Sequence, residues 1–311
     1  MSYDEDILYG EDNEMFENDS EVEKGSPVSA FGYKCNHCGS IFYSFTRQSI
    51  NSCIMCCEEG IVAGSFNDVI DSYCISFDRP IKEFISEYRK KIFWNPIVPI
   101  AFKRRRTIWS VKEVYLPCFL SNVNQKGTLY FIGVEQEKKS DSFMEKKVYN
   151  VLENIHFDYK DVLLNTSSKI DDRVFQTVCD YDFSNLKNID FLDKSQFFYL
   201  VSDMDTTSIS EKNRERISKQ TIAVACQNVP HSSKKLKEDR SIISFSNTKE
   251  VFVPVYLLNV KYKNNIYQCI MNGQNGKMHF NVPIGIVETI ISALFVFGFV
   301  FLISFLIAYF L

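Results

Sequence analysis

The chain has 311 residues, of which 45% are hydrophobic and 14% aromatic, which is enough for a folded core and excludes a fibrous or wholly disordered protein. Its net charge of −4 disfavours a dedicated nucleic-acid-binding protein, because such proteins are usually basic. The first residues lack the basic-then-apolar pattern of a secretory signal peptide, so we expect most of the chain in the cytosol, where thiols stay reduced.

The chain opens with an acidic segment. Between Asp4 and Glu23 there are ten carboxylates and no Lys or Arg. A stretch of this kind repels itself and has little apolar surface to bury. Residues 1–30 are therefore predicted to form a disordered, solvating tail.

Two closely spaced cysteine pairs follow the tail. The pairs are separated by fourteen residues, a length that allows a hairpin to bring the second pair back to the first. Because each pair can offer two sulfurs to one tetrahedral ion, residues 31–62 are predicted to form a zinc ribbon. Four thiolates complete the coordination shell, so we expect one structural Zn²⁺ that supplies folding energy. The predicted ligands are Cys35, Cys38, Cys53 and Cys56.

The exact ligand set has two alternatives. Gly39 follows the first pair, where the turn favours a residue that tolerates positive φ, and Cys57 stands at the equivalent place after the second pair. Cys57 is thus an alternative to Cys56 as a ligand. His37 is also a candidate ligand, although its position is more typical of an exposed side chain. The other cysteines are isolated in apolar contexts and are predicted to be core residues: Cys74, Cys118, Cys179, Cys226 and Cys269.

A helix with a basic face is predicted after the ribbon. Pro80 suits the first turn of a helix, and apolar residues recur behind it at helical spacing: Ile81, Phe84, Ile85, Tyr88 and Ile92. Cations decorate the other face and the segment that follows. They are either simply solvated or candidate contacts to anions, lipid headgroups or nucleic acid: Arg89, Lys90, Lys91, Lys103, Arg104, Arg105 and Arg106.

Two segments of the middle region resemble each other. The stretches VYLPCFLSNVNQKGTLY, from Val114, and VFVPVYLLNVKYKNNIY, from Val251, are identical at seven of seventeen positions. Each has the pattern of a strand, a polar turn and a second strand, with the turns at Gln125–Gly127 and Lys263–Asn265. We therefore predict two related β-hairpins within an α+β domain that covers residues 63–283.

Further elements are predicted between and after these segments. The stretch from Ser208 is charged with inward Ile residues, and Ser208 with Glu211 fits a capping box, so a helix is expected there. His231–Ser241 is predicted to be a polar loop. Asn-Gly pairs at Asn272 and Asn275 indicate another hairpin turn.

The last segment is strongly apolar. No charged residue occurs over the twenty-three positions from Thr289 to Leu311. At about 1.5 Å per residue, such a helix spans a hydrocarbon core of roughly 30 Å. Residues 286–311 are therefore predicted to be a single transmembrane helix, with Glu288 at its entry. We expect a single-pass protein of the cell membrane whose bulk faces the cytoplasm.

Together these parts resemble a bacterial family of membrane-associated zinc-ribbon proteins of the TFIIB type, which are also likened to a primosomal helicase. The resemblance covers roughly residues 33–285. It is carried by the CxxC pairs and, more specifically, by the VYLPCFL and PVYLLNVKYK…NGQNGK segments. The resemblance implies a ribbon followed by an α+β region and a hydrophobic C-terminus, but no established biochemical activity. It also implies more than one C-terminal membrane helix, whereas this chain has room for one.

No catalytic motif accompanies these elements. The four histidines stand apart from acidic or cysteine clusters, and the aspartate pairs at Asp180/Asp182 and Asp203/Asp205 are typical of caps and turns. We therefore expect a non-enzymatic, membrane-anchored adaptor that binds the lipid bilayer and a protein partner. The alternative is a membrane-tethered nucleic-acid-binding protein that uses the basic residues and the ribbon aromatics Phe42, Tyr43 and Phe45.

Overall fold

A computed structural model describes residues 28–47, 49–70, 72–104, 108–140, 143–189, 197–229 and 233–310. Within these ranges the chain is a mixed α+β structure that is mostly sheet. The strands are β1 (Val28–Cys35), β2 (Ile41–Ser44), β3 (Ile61–Ile70), β4 (Tyr73–Cys74), β5 (Ile108–Ser140), β6 (Phe143–Asn165), β7 (Lys187–Asn188), β8 (Phe198–Leu200), β9 (Ser233–Tyr262), β10 (Asn265–Asn272) and β11 (Met278–Phe280). The helices are α1 (Ile81–Trp94), α2 (Asp172–Val178), α3 (Thr206–Asn228) and α4 (Ile286–Phe310).

These strands form one sheet. Its main order is β11-β10-β9-β5-β8-β2-β1-β3, with β6 beside β5 and with β4 between β7 and β9. The strands that flank the cysteine pairs are thus continuous with the rest of the sheet, through the pairing of Phe42 in β2 with Leu200 in β8. Residues 28–30 lie in β1 rather than in the predicted tail, whose other residues are outside the described ranges.

The centre of the sheet is covered on both faces. All ten residues from Val251 to Val260 are buried, which in a strand requires packing on each side. On one face Leu257 belongs to the same apolar cluster as Cys35. On the other face Tyr256 stacks on Phe84 of α1, with ring centroids 5.3 Å apart. The cysteine pairs and α1 therefore lie on opposite faces of β9.

Helix α1 confirms the predicted apolar periodicity. It starts directly after Pro80 and buries Phe84, Tyr88 and Ile92 against the sheet. The three basic residues Arg89–Lys91 are exposed. The spacing of the apolar residues was sufficient to predict the buried face of α1, because a helix that packs on a sheet needs only one apolar stripe.

The two similar segments pair with each other in an antiparallel manner. Val114 lies opposite Val255, Leu116 opposite Val253 and Cys118 opposite Val251. Because residue i of the first segment corresponds to residue i + 137 of the second, this register places a local two-fold axis between Leu116 and Val253. The internal repeat thus corresponds to a pseudo-symmetric strand pair at the centre of the sheet.

One of the two predicted hairpins is wrong. The turn between Tyr262 and Asn265 exists, and Lys263 adopts a φ of 55° in it. No turn occurs at Gln125–Gly127, because β5 continues through it to Ser140. Gly127 instead allows close approach of β9: a Cβ atom there would lie 2.5 Å from the backbone oxygen of Arg240. The glycine marks a crowded strand rather than a turn.

Beyond the central pair, three strands extend together as an arm, which we define as residues 121–140 of β5, 143–162 of β6 and 233–246 of β9. β5 pairs with β6 on one side and with β9 on the other along this length. Helix α3 covers one face of the arm, where Leu129, Phe131 and Ala225 are buried in one cluster. The buried Thr221 of α3 donates to the side chain of Gln125 at 2.6 Å and so fixes the helix on the strands.

Two further local predictions need correction. His231–Ser241 is not a loop, since its described residues form the first part of β9, paired with β5 from Val134 onward. Its charged side chains are largely exposed, which an arm strand tolerates. Helix α3 is capped by Asp205 rather than by Ser208, because the Asp205 carboxylate accepts a hydrogen bond from the Ser208 amide.

The crowding at Gly127 leads to a stability prediction. Gly127→Val should lower the free energy of unfolding by about 3 kcal/mol, because the new Cβ collides with the backbone of β9, which cannot move aside as a side chain would. Thermal unfolding followed by circular dichroism would measure the loss. Lys126→Val adds the same side chain at the exposed neighbouring position and should leave the stability almost unchanged. Equal effects of the two substitutions would contradict this account.

Helix α4 is long and apolar enough to cross a membrane. It has a mean hydropathy of 2.9, and none of its residues is buried against the rest of the described chain. Its first turn contacts the loop between α1 and β5, which we call the α1–β5 loop (residues 95–104). The Gly285 amide donates to the Ile97 oxygen at 2.9 Å, and the Glu288 carboxylate accepts from the Ile100 amide at 3.2 Å.

Candidate metal centre

The first cysteine pair lies on a tight turn between β1 and β2. The Cys35 amide donates to the Ser40 oxygen at 2.9 Å, and the Gly39 amide donates to the Cys35 oxygen at 3.0 Å. Gly39 has a φ of 70°, as its position after the pair predicted. The Cys38 amide points at the Cys35 sulfur, 3.5 Å away.

The second pair repeats this turn. The Cys53 amide donates to the Glu58 oxygen at 2.9 Å, and the Cys57 amide donates to the Cys53 oxygen at 3.0 Å. Cys57 has a φ of 60° and is thus the conformational equivalent of Gly39. The Met55 amide points at the Cys53 sulfur at 3.4 Å. The two turns therefore present their sulfurs in the same way.

The two turns bring four sulfurs together. The Sγ atoms of Cys35, Cys38, Cys53 and Cys56 all lie within 4.8 Å of one another. The Cys35–Cys56 sulfur distance is 3.7 Å and the Cys38–Cys53 distance is 3.6 Å. Sulfurs bound at about 2.3 Å to one tetrahedral ion are about 3.8 Å apart, so the cluster has the dimensions of a four-thiolate metal site. All ten cysteines of the chain are free thiols.

The alternative ligands lie elsewhere. The Cys57 sulfur is 3.8 Å from the Ser110 hydroxyl of β5, so it points into the sheet and away from the other four. Burial raises the pKa of the Cys57 thiol. His37 is exposed and is not part of the sulfur cluster. The geometry therefore favours Cys56 over Cys57 and over His37.

Burial and hydrogen bonding give the clustered thiols unequal acidities. Burial raises the pKa of Cys53 well above its usual range and that of Cys56 to about 11. Burial also opposes ionisation of Cys38, but hydrogen bonds from Ser40 and the neighbouring thiols lower the pKa of Cys38 to about 6. A second thiolate this close to Cys38 requires a compensating cation, because like charges at contact distance repel strongly.

The cysteine turns are fixed to the rest of the fold. The Lys169 ammonium donates to the Cys38 oxygen at 3.1 Å. The buried amide of Asn259 in β9 donates to the Ile54 oxygen at 3.2 Å. Both turns are thus held through their backbone oxygens by side chains from distant parts of the chain. A metal bound here would tie the two cysteine turns to each other and, through Asn259, to the centre of the sheet.

The aromatic residues between the two cysteine pairs pack into the fold, Phe42 completely and Tyr43 and Phe45 in part. Phe42 is fully buried in the core cluster that contains the cysteines. Phe45 packs edge-on against Tyr199 with ring centroids 4.8 Å apart, and Tyr43 joins the same cluster. The hypothesis that Phe42 stacks on nucleic-acid bases is therefore wrong, because its ring has no accessible face.

The basic residues lie apart from the cysteine cluster, on the α1 side of the sheet. Arg89, Lys90 and Lys91 are exposed on α1, and the Lys91 ammonium lies 5.5 Å above the Phe280 ring. The Lys103 ammonium donates to the Phe93 oxygen at 3.1 Å. Arg104 is exposed in the α1–β5 loop, and positions 105 and 106 are outside the described residues.

The acidic residues are structural, as their sequence context indicated. Asp182 accepts from the Ser184 amide at 3.0 Å, and Asp203 accepts from the Ser168 amide at 2.6 Å.

One histidine is less isolated than predicted, since the imidazole of His156 lies 3.5 Å from the carboxylate of Asp158. Both side chains are exposed on β6, where residues two apart share a face. The two-residue separation of His156 and Asp158 was therefore the signal in the sequence that could have revealed this pair.

Three of the five remaining cysteines are core residues, as predicted. Cys74, Cys118 and Cys269 are buried, whereas Cys179 and Cys226 are only partly covered. Burial raises the pKa of Cys118 and of Cys179. Thiols with raised pKa values are poor nucleophiles at neutral pH, which disfavours a reactive role for Cys118 and Cys179.

Comparison with known proteins adds no relative to this picture. No protein-family model matches the chain, and no curated protein or solved structure is significantly similar to it. The resemblance to membrane-associated zinc-ribbon proteins, drawn from the CxxC pairs and the VYLPCFL segment, therefore stays a prediction.

Proposed function

We propose that this protein is a membrane-anchored, cytosol-facing adaptor without catalytic activity, in which a zinc-stabilised base holds the arm available for a protein partner. The observation that carries the proposal is the arm itself. It is a long three-stranded extension, and among the described residues α3 covers one of its two faces. Such an extension has no role in the central core, and an open, partly apolar face is typical of a binding surface.

The metal in this proposal is one structural zinc ion. Thiolates are soft ligands, and four of them in a tetrahedral arrangement are typical of zinc in a cytosolic protein. Cys35, Cys38, Cys53 and Cys56 would hold it and would leave no coordination position for a substrate. Its contribution is folding free energy for the ribbon, which buries little apolar surface by itself.

The anchor in this proposal is α4. Its twenty-five residues exceed the length needed to cross a hydrocarbon core of about 30 Å. With the N-terminal part in the cytosol, α4 would anchor the protein in the cell membrane.

The partner surface is the face of the arm opposite α3, which we call the outer face. Val148, Leu152 and Ile242 are exposed there, at 61%, 59% and 75% of their surface. Their neighbours in the sheet point the other way, because Ile155 and Ile243 are buried against α3. Three exposed apolar side chains spaced along one face favour a protein partner that offers apolar side chains at matching positions.

Two observations favour a protein partner over the alternative of nucleic acid. Phe42, the central ribbon aromatic, is buried and unable to stack on a base. The α1–β5 loop, which carries Lys103 and Arg104, contacts the first turn of α4, where a membrane would restrict the approach of a long polyanion.

The test compares recovery of membrane-bound partners by the zinc-loaded full chain and by two double variants. Val148→Lys/Leu152→Lys places two charges on the outer face and should lower recovery of the specific partner at least about tenfold. Val62→Lys/Val224→Lys adds the same charges at exposed apolar positions off that face and should recover the partner normally. Equal recovery by both variants would contradict the proposal. A shift from dimer to monomer in the first variant alone would identify the partner as a second copy of this chain.

A further inference from the structure

A second exposed surface stands beside the first turn of α4. The last two turns of α1 alternate cations and aromatic residues at one-turn spacing: Arg89 precedes Phe93 by four residues, and Lys90 precedes Trp94 by four. Phe93 and Trp94 expose 64% and 74% of their surface. Large aromatic residues left in water at this level are unusual for a soluble face and call for a partner.

The α1–β5 loop extends this surface. Ile100 exposes 68% of its surface, and Lys103 lies close by, joined to the Phe93 oxygen. We define the headgroup patch as Arg89, Lys90, Phe93, Trp94, Ile100 and Lys103. Within the part of the chain that the structure describes, neither Arg89 nor Lys90 pairs with a carboxylate.

The headgroup patch is held at the level where α4 begins. Ile100 donates its amide to Glu288 in the first turn of α4, and Ile97 accepts from Gly285 just before it. On its other side the α1–β5 loop is fixed to the sheet by Phe102, whose buried ring packs against Tyr262 and Tyr267. A membrane crossed by α4 would therefore meet the headgroup patch at its surface.

We propose that the headgroup patch binds the surface of an anionic bilayer, with Trp94 and Phe93 in the interface and the cations on lipid phosphates. Aromatic side chains at the membrane–water boundary and basic residues just outside it are the chemistry that such a surface recognises. The proposal rests on the membrane anchoring by α4 proposed above. It adds that the base of the protein lies on the membrane in one fixed orientation, instead of rotating freely about a single helix.

The test uses the full chain reconstituted into vesicles of phosphatidylcholine alone, or with about one third phosphatidylglycerol. Flotation reports anchoring by α4. The depth of Trp94 is read from fluorescence quenching by lipids brominated near the headgroup or near the bilayer centre. Because the chain has two tryptophans, the Trp94 signal is the difference between the wild type and Trp94→Phe.

We expect Trp94 to be quenched by the shallow bromines and not by the deep ones, and more strongly when phosphatidylglycerol is present. In Arg89→Glu/Lys90→Glu this dependence on anionic lipid should be lost. It should persist in Lys235→Glu/Lys237→Glu, which makes the same charge change at exposed positions on the arm. Zinc content equal to that of the wild type would show that each variant is folded.

Three results would overturn the proposal. If the chain floats with vesicles but Trp94 is not quenched, the headgroup patch does not touch the bilayer, although anchoring stands. If the chain does not float, the anchor fails and the headgroup patch with it. If Trp94 responds to an added oligonucleotide and not to lipid charge, the patch is a nucleic-acid site.

Discussion

Cys53→Ser is expected to abolish metal binding and to unfold the ribbon. The Cys53 sulfur is buried, lies 3.6 Å from that of Cys38, and belongs to a cluster of four. A serine hydroxyl does not replace a thiolate as a zinc ligand, and the three remaining sulfurs would leave the ion open to water. Because structural zinc supplies about 10 kcal/mol or more to small ribbons, its loss should remove most of the ribbon's stability.

The effect of Cys53→Ser should reach beyond the ribbon. β2 pairs with β8, and the second cysteine turn accepts a hydrogen bond from Asn259 at the centre of the sheet. Metal analysis of the purified full chain should give about one zinc per wild-type chain and almost none for the variant. Thermal unfolding should shift downward by about 10 °C or more.

Cys57→Gly is the matched control for this prediction. Its sulfur contacts Ser110 and not the cluster, and glycine adopts a φ near 60° without strain. Removing the backbone strain of a non-glycine residue at positive φ should gain about 1 kcal/mol, which offsets the lost packing of the sulfur. Zinc content and stability should therefore both stay near the wild type. Loss of zinc in Cys57→Gly but not in Cys56→Ser would show that Cys57 is the fourth ligand.

Phe297→Arg/Phe301→Arg is expected to release the protein from the membrane fraction. Both positions lie near the middle of α4, where each arginine costs about 3 kcal/mol of insertion free energy. The pair should therefore cost about 6 kcal/mol, because both positions lie near the bilayer centre, where a charged side chain is farthest from either interface. Extraction at alkaline pH should leave the wild type with the membranes and solubilise the variant.

The control for the membrane prediction places the same charges at the end of the helix. In Tyr309→Arg/Phe310→Arg the long side chains can reach the far headgroups, so insertion should be kept. A central variant that stays in the membranes would mean that α4 does not span the bilayer.

Local patterns in the sequence were enough to predict those elements whose structure is determined by residues close to them in the chain. The spacing of the cysteine pairs predicted the sulfur cluster, and the glycine-like position of Cys57 predicted its positive φ. Helical periodicity predicted the buried face of α1, and the uncharged run predicted the length of α4. In each of these cases the physical signal and the structure it produces lie within a few turns or one loop.

Pairings between distant segments were not predictable in the same way. The charged stretch at 233–241 has no apolar alternation, and it becomes a strand only because β5 supplies hydrogen-bond partners more than a hundred residues away. Gly127 looked like a turn residue because its close neighbour, the backbone of Arg240, is not visible in the local sequence. The headgroup patch was missed as a unit for a similar reason, since Glu288 and Ile100 meet only in the fold.

The length of β5 has a further consequence for how this protein would act near a charged surface. Its thirty-three residues extend about 100 Å, from beside the α1–β5 loop to the end of the arm. Salt at physiological concentration reduces electrostatic interactions over about 8 Å, so the far end of β5 lies roughly a dozen screening lengths along the strand from its start. With the arm pointing away from the membrane, lipid charge would then act on the base and not directly on a molecule bound at the far end.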